Sequence, residues 1–207
     1  GLDRAWSPER IAAVIASTHP DIVALQELDV GRARSGHIDQ AETIARDLGM
    51  DVQFFPALRV MDELYGDAIL SRWPARTVKA AALPGLGLPG LEPRGALWSR
   101  IEVDGALVQV INTHLSLHPR ERRLQIDELL GPTWLGDPRA ARDVVLCGDF
   151  NAMAWFPSCR AIRRRLRDAQ IGRDDRRPAG TWPGRMRLAR IDHVFVEPER
   201  DVAPLHQ

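Results

Sequence analysis

The sequence predicts an α/β (α+β) domain in which mixed β-sheets are covered by helices. Segments with the apolar spacing of amphipathic helices alternate with short apolar runs that are typical of buried strands. Some of these strands are close enough in sequence to form hairpins, which indicates mixed sheets rather than a purely parallel one. Because the chain has 207 residues, a hydrophobic content of 44% and no evident linker, residues 1–207 are predicted to form a single domain.

The first part of the chain alternates helices and strands. A serine–proline pair at residues 7–8 is typical of an N-cap followed by proline at the first helical position, so a helix is predicted from about residue 8 to 18. The apolar run at residues 21–27 predicts a buried strand with Glu27 at its carboxyl end. Amphipathic spacing then predicts a second helix, which stops at Gly49.

The rest of the chain is richer in strands and turns. Asp104-Gly105 lies between two strand-like runs and predicts a hairpin turn. The glycine- and proline-rich loop 84–93 either overhangs a site or merely connects two strands. The remaining elements are strands at 52–55, 67–71, 77–81, 96–103, 107–113, 143–148 and 191–196, and helices at about 119–130 and 156–166.

The composition limits the classes of function. The 28 basic and 28 acidic residues cancel, so no global positive field draws the protein to nucleic acid. The arginines between residues 160 and 167 are either a basic stripe for a polyanion or a solvated helix face, and the second is favoured. Cys147 lies in an apolar run and Cys159 has no partner at metal-ligand spacing, so neither a disulfide nor a zinc site is predicted.

The sequence also predicts where the protein is found. It has no apolar stretch of the roughly 18 residues that a membrane-spanning helix needs, and its start has no signal-peptide character. We therefore expect no transmembrane segment and a reducing, cytoplasmic location. The oligomeric state stays open.

A polar tetrapeptide directly after a predicted buried strand is the sharpest chemical signal. It is Gly148-Asp149-Phe150-Asn151. Residues two apart on an extended segment point to the same side, so Asp149 and Asn151 are expected to act together while Phe150 packs inward. The carboxylate can hold a metal or orient water, and the amide can donate to a phosphoryl oxygen. Taken alone, the tetrapeptide also fits an Asx turn that caps a strand.

Three more polar clusters lie at the ends of predicted strands, which is more than folding requires. They are Leu25-Gln26-Glu27, Asn112-Thr113-His114 and Arg190-Ile191-Asp192-His193. His193 is either catalytic or packed inward, and packing is favoured because strand neighbours face opposite sides. His114 and His118 have the spacing of a helical zinc pair, but the spacing follows a strand and precedes Pro119, so zinc is disfavoured.

The ordered set of motifs resembles the endonuclease/exonuclease/phosphatase superfamily, which has the DNase-I-like fold. The resemblance runs from about residue 8 to 197 and implies a four-layer α/β/β/α sandwich of two mixed sheets flanked by helices. The matching segments are Gln26-Glu27, Tyr65-Gly66-Asp67-Ala68-Ile69-Leu70-Ser71-Arg72, Asn112-Thr113-His114, Gly148-Asp149-Phe150-Asn151 and Ile191-Asp192-His193.

This resemblance implies roles for three residues in phosphoester hydrolysis. Glu27 matches the carboxylate that binds Mg²⁺ or Mn²⁺. Asp149 matches the residue that orients the attacking water, and Asn151 its companion on the phosphoryl oxygens. A cation with oxygen ligands would neutralise phosphate charge while the water attacks in line. The implied substrates are phosphorylated: nucleic acid, a phospholipid headgroup or an inositol phosphate.

Five further residues are candidates for the same site. His114 resembles the histidine that contacts the scissile phosphate, and Asp192 resembles an acid that orients a second histidine. Tyr65, Asp67 and Arg94 are candidate substrate-binding residues. Asp67 stands where relatives usually have asparagine, and the additional carboxylate either strengthens metal binding or repels phosphate.

The pattern departs from the family at both ends. The family begins with a strand that carries a metal-binding asparagine and ends with a Ser-Asp-His strand, and we expect this chain to lack both. His206 is the only histidine after Asp192 and its neighbour, and its context is different. One expectation is a hydrolase that is much slower than a longer form of the protein. The alternative is a degenerate domain that binds a metal or a phosphorylated partner without turnover.

Overall fold

The computed structural model describes residues 7–171, 179–183 and 186–198 and contains two β-sheets and four α-helices in that part of the chain. The helices are α1 (Pro8–Ala16), α2 (Gln40–Leu48), α3 (Pro119–Leu130) and α4 (Pro157–Ile162). The strands are β1 (Ile22–Val30), β2 (Asp51–Val60), β3 (Glu63–Ser71), β4 (Ala75–Ala82), β5 (Gly95–Val103), β6 (Ala106–His114), β7 (Val144–Asp149), β8 (Arg167–Asp168) and β9 (Asp192–Val196).

The two sheets differ in size and pairing. The smaller sheet has the strand order β1-β3-β2 and is antiparallel throughout. The larger sheet has the order β4-β5-β6-β7-β9-β8 and is mixed, because β6 and β7 run parallel. β6 and β7 therefore end at the same edge, at His114 and Asp149, which pair in register.

Three clusters of buried apolar side chains separate four layers. Ile69 and Leu97 lie between the two sheets. Ile44 of α2 belongs to the cluster on the outer face of the smaller sheet, and Ile126 of α3 and Ile162 of α4 to the cluster on the outer face of the larger one. This arrangement is the expected four-layer α/β/β/α sandwich. None of the helices in the described residues is long and apolar enough to cross a membrane.

Local sequence signals set several element boundaries as predicted. The Ser7 side chain accepts a hydrogen bond from the backbone N–H three residues later, and Pro8 opens α1. Gly49 ends α2 in the left-handed region, with φ +65°. Asp104 and Gly105 both have positive φ, at +50° and +84°, and join β5 to β6 in the predicted hairpin.

One predicted helix is too long. The apolar spacing predicted a helix at 156–166, but α4 ends at Ile162 and a turn follows. The chain has to leave the helix there because Leu166 is buried in the outer core and the two-residue strand β8 starts at the next position. The arginines between residues 160 and 167 consequently do not form a stripe on one helix.

Candidate active site

Glu27 lies at a bulge inside β1, not at the end of the strand as predicted. The pairing of β1 with β3 shifts register between Leu25 and Leu28, and Glu27 has φ +63°. A bulge re-aims the side chain that it carries. The Glu27 carboxylate is 59% exposed, and its Oε1 lies 3.8 Å from Nδ1 of His114 on the other sheet. The irregularity therefore brings Glu27 to the edge where β6 and β7 end.

Asn112 joins the two sheets directly beneath this edge. Its buried Nδ2 donates hydrogen bonds to the carbonyls of Leu25 in β1 and Ala68 in β3, both at 2.9 Å. Its Oδ1 accepts a hydrogen bond from Gln26 Nε2 at 2.7 Å. One side chain of β6 thus fixes the position of the bulge relative to His114.

Replacing this side chain tests its contribution to stability. We expect Asn112→Ala to lower the free energy of unfolding by at least about 2 kcal/mol, since it leaves two carbonyls without their donor in the interior. Gln26→Ala is the matched control, because it removes only one of the three hydrogen bonds. Urea unfolding of both variants measures the difference, and equal losses would show that Asn112 does not hold the sheets together.

Tyr65 and Asp67 of β3 flank Glu27. The Tyr65 hydroxyl hydrogen-bonds the Glu27 carboxylate, and burial together with that charge raises the pKa of Tyr65 further above its usual range. The Asp67 carboxyl accepts the backbone N–H of Glu27. It is 2% exposed, and its Oδ2 has no hydrogen-bond partner among the described residues. Burial raises the pKa of Asp67 to about 7, against the attraction of Arg94.

The raised pKa of Asp67 predicts a pH-dependent gain of stability in Asp67→Asn. In the native state Asp67 stays protonated at pH values above its ordinary pKa of 3.8. The contribution of Asp67 to the free energy of unfolding therefore falls as the pH rises from about 4 to about 7. Without divalent cations, Asp67→Asn should be about 1–3 kcal/mol more stable than the wild type near pH 8 and equal to it near pH 4. Urea unfolding at both pH values checks this, and a difference that does not change with pH would contradict it.

His114 is a neutral imidazole with a defined tautomer. Its side chain is buried, and burial followed by the charge of Arg94 lowers its pKa to about 3. Arg94 Nη1 lies 3.0 Å from His114 Nδ1. A guanidinium only donates, so Nδ1 is the acceptor and Nε2 carries the proton. The same guanidinium forms an ion pair with Glu92 at 3.4 Å.

The tetrapeptide at residues 148–151 forms the Asx turn and also places the Asn151 amide in the candidate site. Asp149 Oδ1 accepts the backbone N–H of Asn151 at 2.8 Å, which closes an Asx turn, and Asn151 has φ +46°. Phe150 is fully buried, as expected. Asn151 Nδ2 donates to the Leu115 carbonyl at 2.8 Å, which fixes the orientation of the amide, and lies 3.1 Å from His114 Nε2. Two N–H donors therefore meet at one position.

Asp149 is the carboxylate beside these donors. Its Oδ2 lies 3.8 Å from His114 Nε2, and its side chain is 23% exposed. Burial raises its pKa to about 6; the N–H of Asn151 opposes this rise, and the charges of Asp192 and Glu27 add to it. The imidazole of His114 thus has one carboxylate near each of its two nitrogens.

Asp192 and His193 open β9 on opposite faces. Asp192 pairs in register with Asp149, so the two carboxylates repel each other. Its backbone N–H donates to Thr181 Oγ1 at 3.2 Å, a contact that nothing in the sequence predicted. His193 is 1% exposed, and its Nε2 donates to the Ala152 carbonyl at 2.7 Å. The favoured packing role of His193 agrees with this position, and His206 lies outside the described residues.

A buried ion-pair network supports β9 from behind. Arg190 contacts Asp168 through two hydrogen bonds of 3.1 and 2.5 Å. His193 Nδ1 lies 3.8 Å from the same carboxylate. Burial opposes both charges, but their attraction outweighs it, so the pKa of Asp168 lies well below its usual range and that of His193 rises to about 9. This network fixes the position of Asp192.

The sequence of nearly the whole chain matches a known family. The model of the endonuclease/exonuclease/phosphatase family matches residues 4–204. The chain belongs to this family. An uncharacterized protein of Escherichia coli, YbhP, is 28% identical to it, with coverage of 98% of this chain and 82% of that protein.

Solved structures of the family have the same fold. A mannosyl-6-phosphatase of Bacteroides thetaiotaomicron has a TM-score of 0.71 and 22% identity, and the match covers 93% of this chain and 76% of that one. The catalytic domain of human nocturnin, with a bound sulfate anion, has a TM-score of 0.66 and 21% identity, with coverage of 93% and 75%. These similarities confirm the DNase-I-like sandwich.

The donors at the edge of the sheets fit a hard divalent cation better than zinc. In the described ranges, no three His, Cys, Asp or Glu side chains are placed to hold one ion together. The Glu27 carboxylate is exposed, however. The neighbouring Asp67 carboxyl accepts the backbone N–H of Glu27 and has a second oxygen, Oδ2, without a hydrogen-bond partner among the described residues. Mg²⁺ keeps several waters and needs only one or two carboxylates. Glu27 with Asp67 is therefore a donor set suited to Mg²⁺ or Mn²⁺.

Proposed function

We propose that the chain is a Mg²⁺- or Mn²⁺-dependent hydrolase of phosphodiester or phosphomonoester bonds. The observation that carries the proposal is the pair of donors, His114 Nε2–H and Asn151 Nδ2–H, which lie 3.1 Å apart beside the Asp149 carboxylate. An oxygen of a phosphoryl group that faces both nitrogens from the same side can accept both hydrogen bonds. The family includes a protein named as a phosphatase, which supports the same class of reaction.

Each residue of the site has a separate role in the proposed reaction. His114 binds a phosphoryl oxygen as a neutral donor, because its lowered pKa keeps the ring uncharged. Asp149, with a pKa of about 6, is ionised at neutral pH and orients the attacking water. Arg94 is a buried cation that compensates phosphate charge. A cation held by Glu27 and Asp67 would supply further neutralisation of charge on the phosphoryl oxygens.

The position of Asp192 supports a positioning role. Its charge repels that of Asp149 and contributes to the raised pKa of that carboxylate. Tyr65 hydrogen-bonds Glu27 and restricts the orientation of the carboxylate toward the cleft. Asp192 thus affects the pKa of Asp149, and Tyr65 affects the orientation of Glu27.

A second candidate is a domain that binds phosphate without turnover. The lack of a preformed three-ligand metal cluster in the described residues favours it. Its difference from the hydrolase is measurable, because such a domain would bind inorganic phosphate through the same two donors and release no product.

The test measures product release and phosphate inhibition together. Bis-p-nitrophenyl phosphate and p-nitrophenyl phosphate are incubated with the protein in Mg²⁺, Mn²⁺ or EDTA, and inorganic phosphate is added as an inhibitor. We expect turnover with either cation and none in EDTA. Asn151→Ala should lower kcat by roughly 10²-fold and weaken inhibition by phosphate. Phosphate binding without turnover under every condition would favour the second candidate.

A further inference from the structure

The two ends of the sandwich differ in the apolar side chains that they expose. The end with the candidate site carries the connections 31–39, 61–62, 83–94, 115–118 and 150–156 and the described parts of 169–191, because the strands around Glu27, His114, Asp149 and Asp192 end or begin there. The opposite end carries the connections 17–21, 49–50, 72–74, 104–105, 131–143 and 163–166.

Nine of the fifteen exposed large apolar side chains in the described residues lie on the connections at the end with the site. None of the connections at the opposite end exposes one, and all six of those segments are described. At the site end, each of the six connections exposes at least one. Six of these side chains form the set called the apolar rim: Met61 (86%), Leu88 (47%), Leu117 (69%), Trp155 (66%), Trp182 (59%) and Leu188 (75%).

This distribution is unusual for a surface that faces only water. Single exposed apolar residues are common, but their concentration around one cleft marks a contact with another phase or molecule. Folding does not explain the rim, because these side chains lie outside the three buried clusters. The rim lies on connections at the same end of the sandwich as the site, so a molecule or membrane that contacts it also affects access to the site.

The chemistry of the rim favours a membrane over nucleic acid. A nucleic acid contacts a protein through basic side chains that follow its phosphates, yet residues 150–156 contain neither lysine nor arginine. The arginines of the connections 31–39 and 83–94 form ion pairs with Asp29 and Glu92. Tryptophan side chains such as Trp155 and Trp182 are suited to the boundary between headgroups and acyl chains. A protein partner docked on all these loops would close the cleft to substrate.

We propose that the substrate is a phosphoester in the headgroup of a membrane lipid, and that the apolar rim rests on the membrane surface while the headgroup enters the cleft. The inference rests on the proposed function, since the lipid phosphate would accept the hydrogen bonds of His114 and Asn151. The phosphate of a membrane lipid lies at the boundary of polar and apolar phases. A cleft reaches it when apolar side chains around its mouth enter the acyl region.

The test separates membrane binding from hydrolysis. Flotation with phosphatidylcholine vesicles, with and without phosphatidylserine, measures partitioning of the wild type and of the triple variant Trp155→Ser, Trp182→Ser, Leu188→Ser. The control variant carries Leu107→Ser and Leu124→Ser, which are also exposed apolar positions but lie away from the site. Hydrolysis of vesicle lipid and of water-soluble bis-p-nitrophenyl phosphate is measured for all three proteins.

We expect the rim variant to partition into vesicles at least about tenfold more weakly than the wild type. Each large side chain that enters an apolar phase contributes at least the free energy that corresponds to a tenfold change in the partition constant. It should lose hydrolysis of vesicle lipid and keep hydrolysis of the soluble diester, and the control should keep both. A wild type that hydrolyses the soluble diester but binds no vesicle would overturn the inference and leave the proposed function intact.

Two further outcomes would also overturn it. Binding of a single-stranded oligonucleotide that competes with vesicles and depends on the rim would identify nucleic acid as the occupant. Vesicle binding through the rim with no hydrolysis of any phosphoester would instead remove the proposed function, and the lipid would no longer be a substrate. The soluble-diester assay distinguishes these failures.

Discussion

Asp149→Asn is expected to lower kcat by about 10²- to 10⁴-fold, the usual contribution of a positioned proton acceptor. Asparagine keeps the shape of the side chain, and its oxygen can still accept the N–H of Asn151 that closes the Asx turn. What it lacks is the negative charge that orients and deprotonates water. The loss should therefore appear in catalysis while the fold is kept.

Stability measurements make this prediction specific. Burial and the charges of Asp192 and Glu27 disfavour the ionised form of Asp149, so removing the charge should leave the free energy of unfolding unchanged or slightly higher at neutral pH. Asp143→Asn is the matched control, because it makes the same change just before the other end of β7. An Asp149→Asn variant within tenfold of the wild type would show that another group activates the water.

The pH dependence of the wild type provides a second readout of the same residue. The pKa of Asp149 is raised to about 6 and that of His114 is lowered to about 3. Asp149 is active when ionised, so kcat/KM should fall as the pH decreases through about 6. His114 stays neutral across that range and contributes no change there. A rate that stays constant down to about pH 4 would contradict the role of Asp149.

Arg190→Met is expected to lower the free energy of unfolding by about 3–5 kcal/mol, because it leaves the Asp168 carboxylate buried without its principal partner. Asp168 is 3% exposed and Arg190 is 9% exposed, so water cannot replace the lost contacts. The raised pKa of His193 compensates only in part, since its Nδ1 lies 3.8 Å from the carboxylate.

A surface ion pair of similar type provides the control. Arg139 contacts Asp137 at 2.7 Å, but the Arg139 side chain is 62% exposed. Arg139→Met should therefore cost less than about 1 kcal/mol. Urea unfolding of both variants at neutral pH measures the difference. If the two losses were equal, the buried network would not be what fixes β9.

The sequence predicted the parts of the structure that depend on local chemistry. The start of α1, the end of α2 at Gly49 and the hairpin at Asp104-Gly105 follow from capping and turn preferences of single residues. The fold class followed from the alternation of helix and strand patterns and was confirmed. The structure also brings the eight predicted site residues to one edge of the sheets, although their catalytic roles stay predictions.

Features that depend on contacts between distant segments could not be predicted. The bulge at Glu27 is a mismatch in pairing between β1 and β3, which a single strand's composition does not reveal. The early end of α4 is imposed by the position of Leu166 in the core. Thr181 acquires its role only because β9 begins beside it. In each case tertiary contacts outweigh the local preference.

Dependence of hydrolysis on Mn²⁺ concentration, compared between the wild type and Glu27→Gln, tests the central claim most directly. Glu27 is the most exposed carboxylate of the site, and the Asp67 carboxyl that accepts its backbone N–H has an oxygen without a hydrogen-bond partner in the described part of the chain. We expect turnover to vanish in EDTA and return with Mn²⁺, and we expect Glu27→Gln to need at least about tenfold more Mn²⁺ for half-maximal rate. Activation of both proteins at the same Mn²⁺ concentration, or full activity in EDTA, would contradict the account.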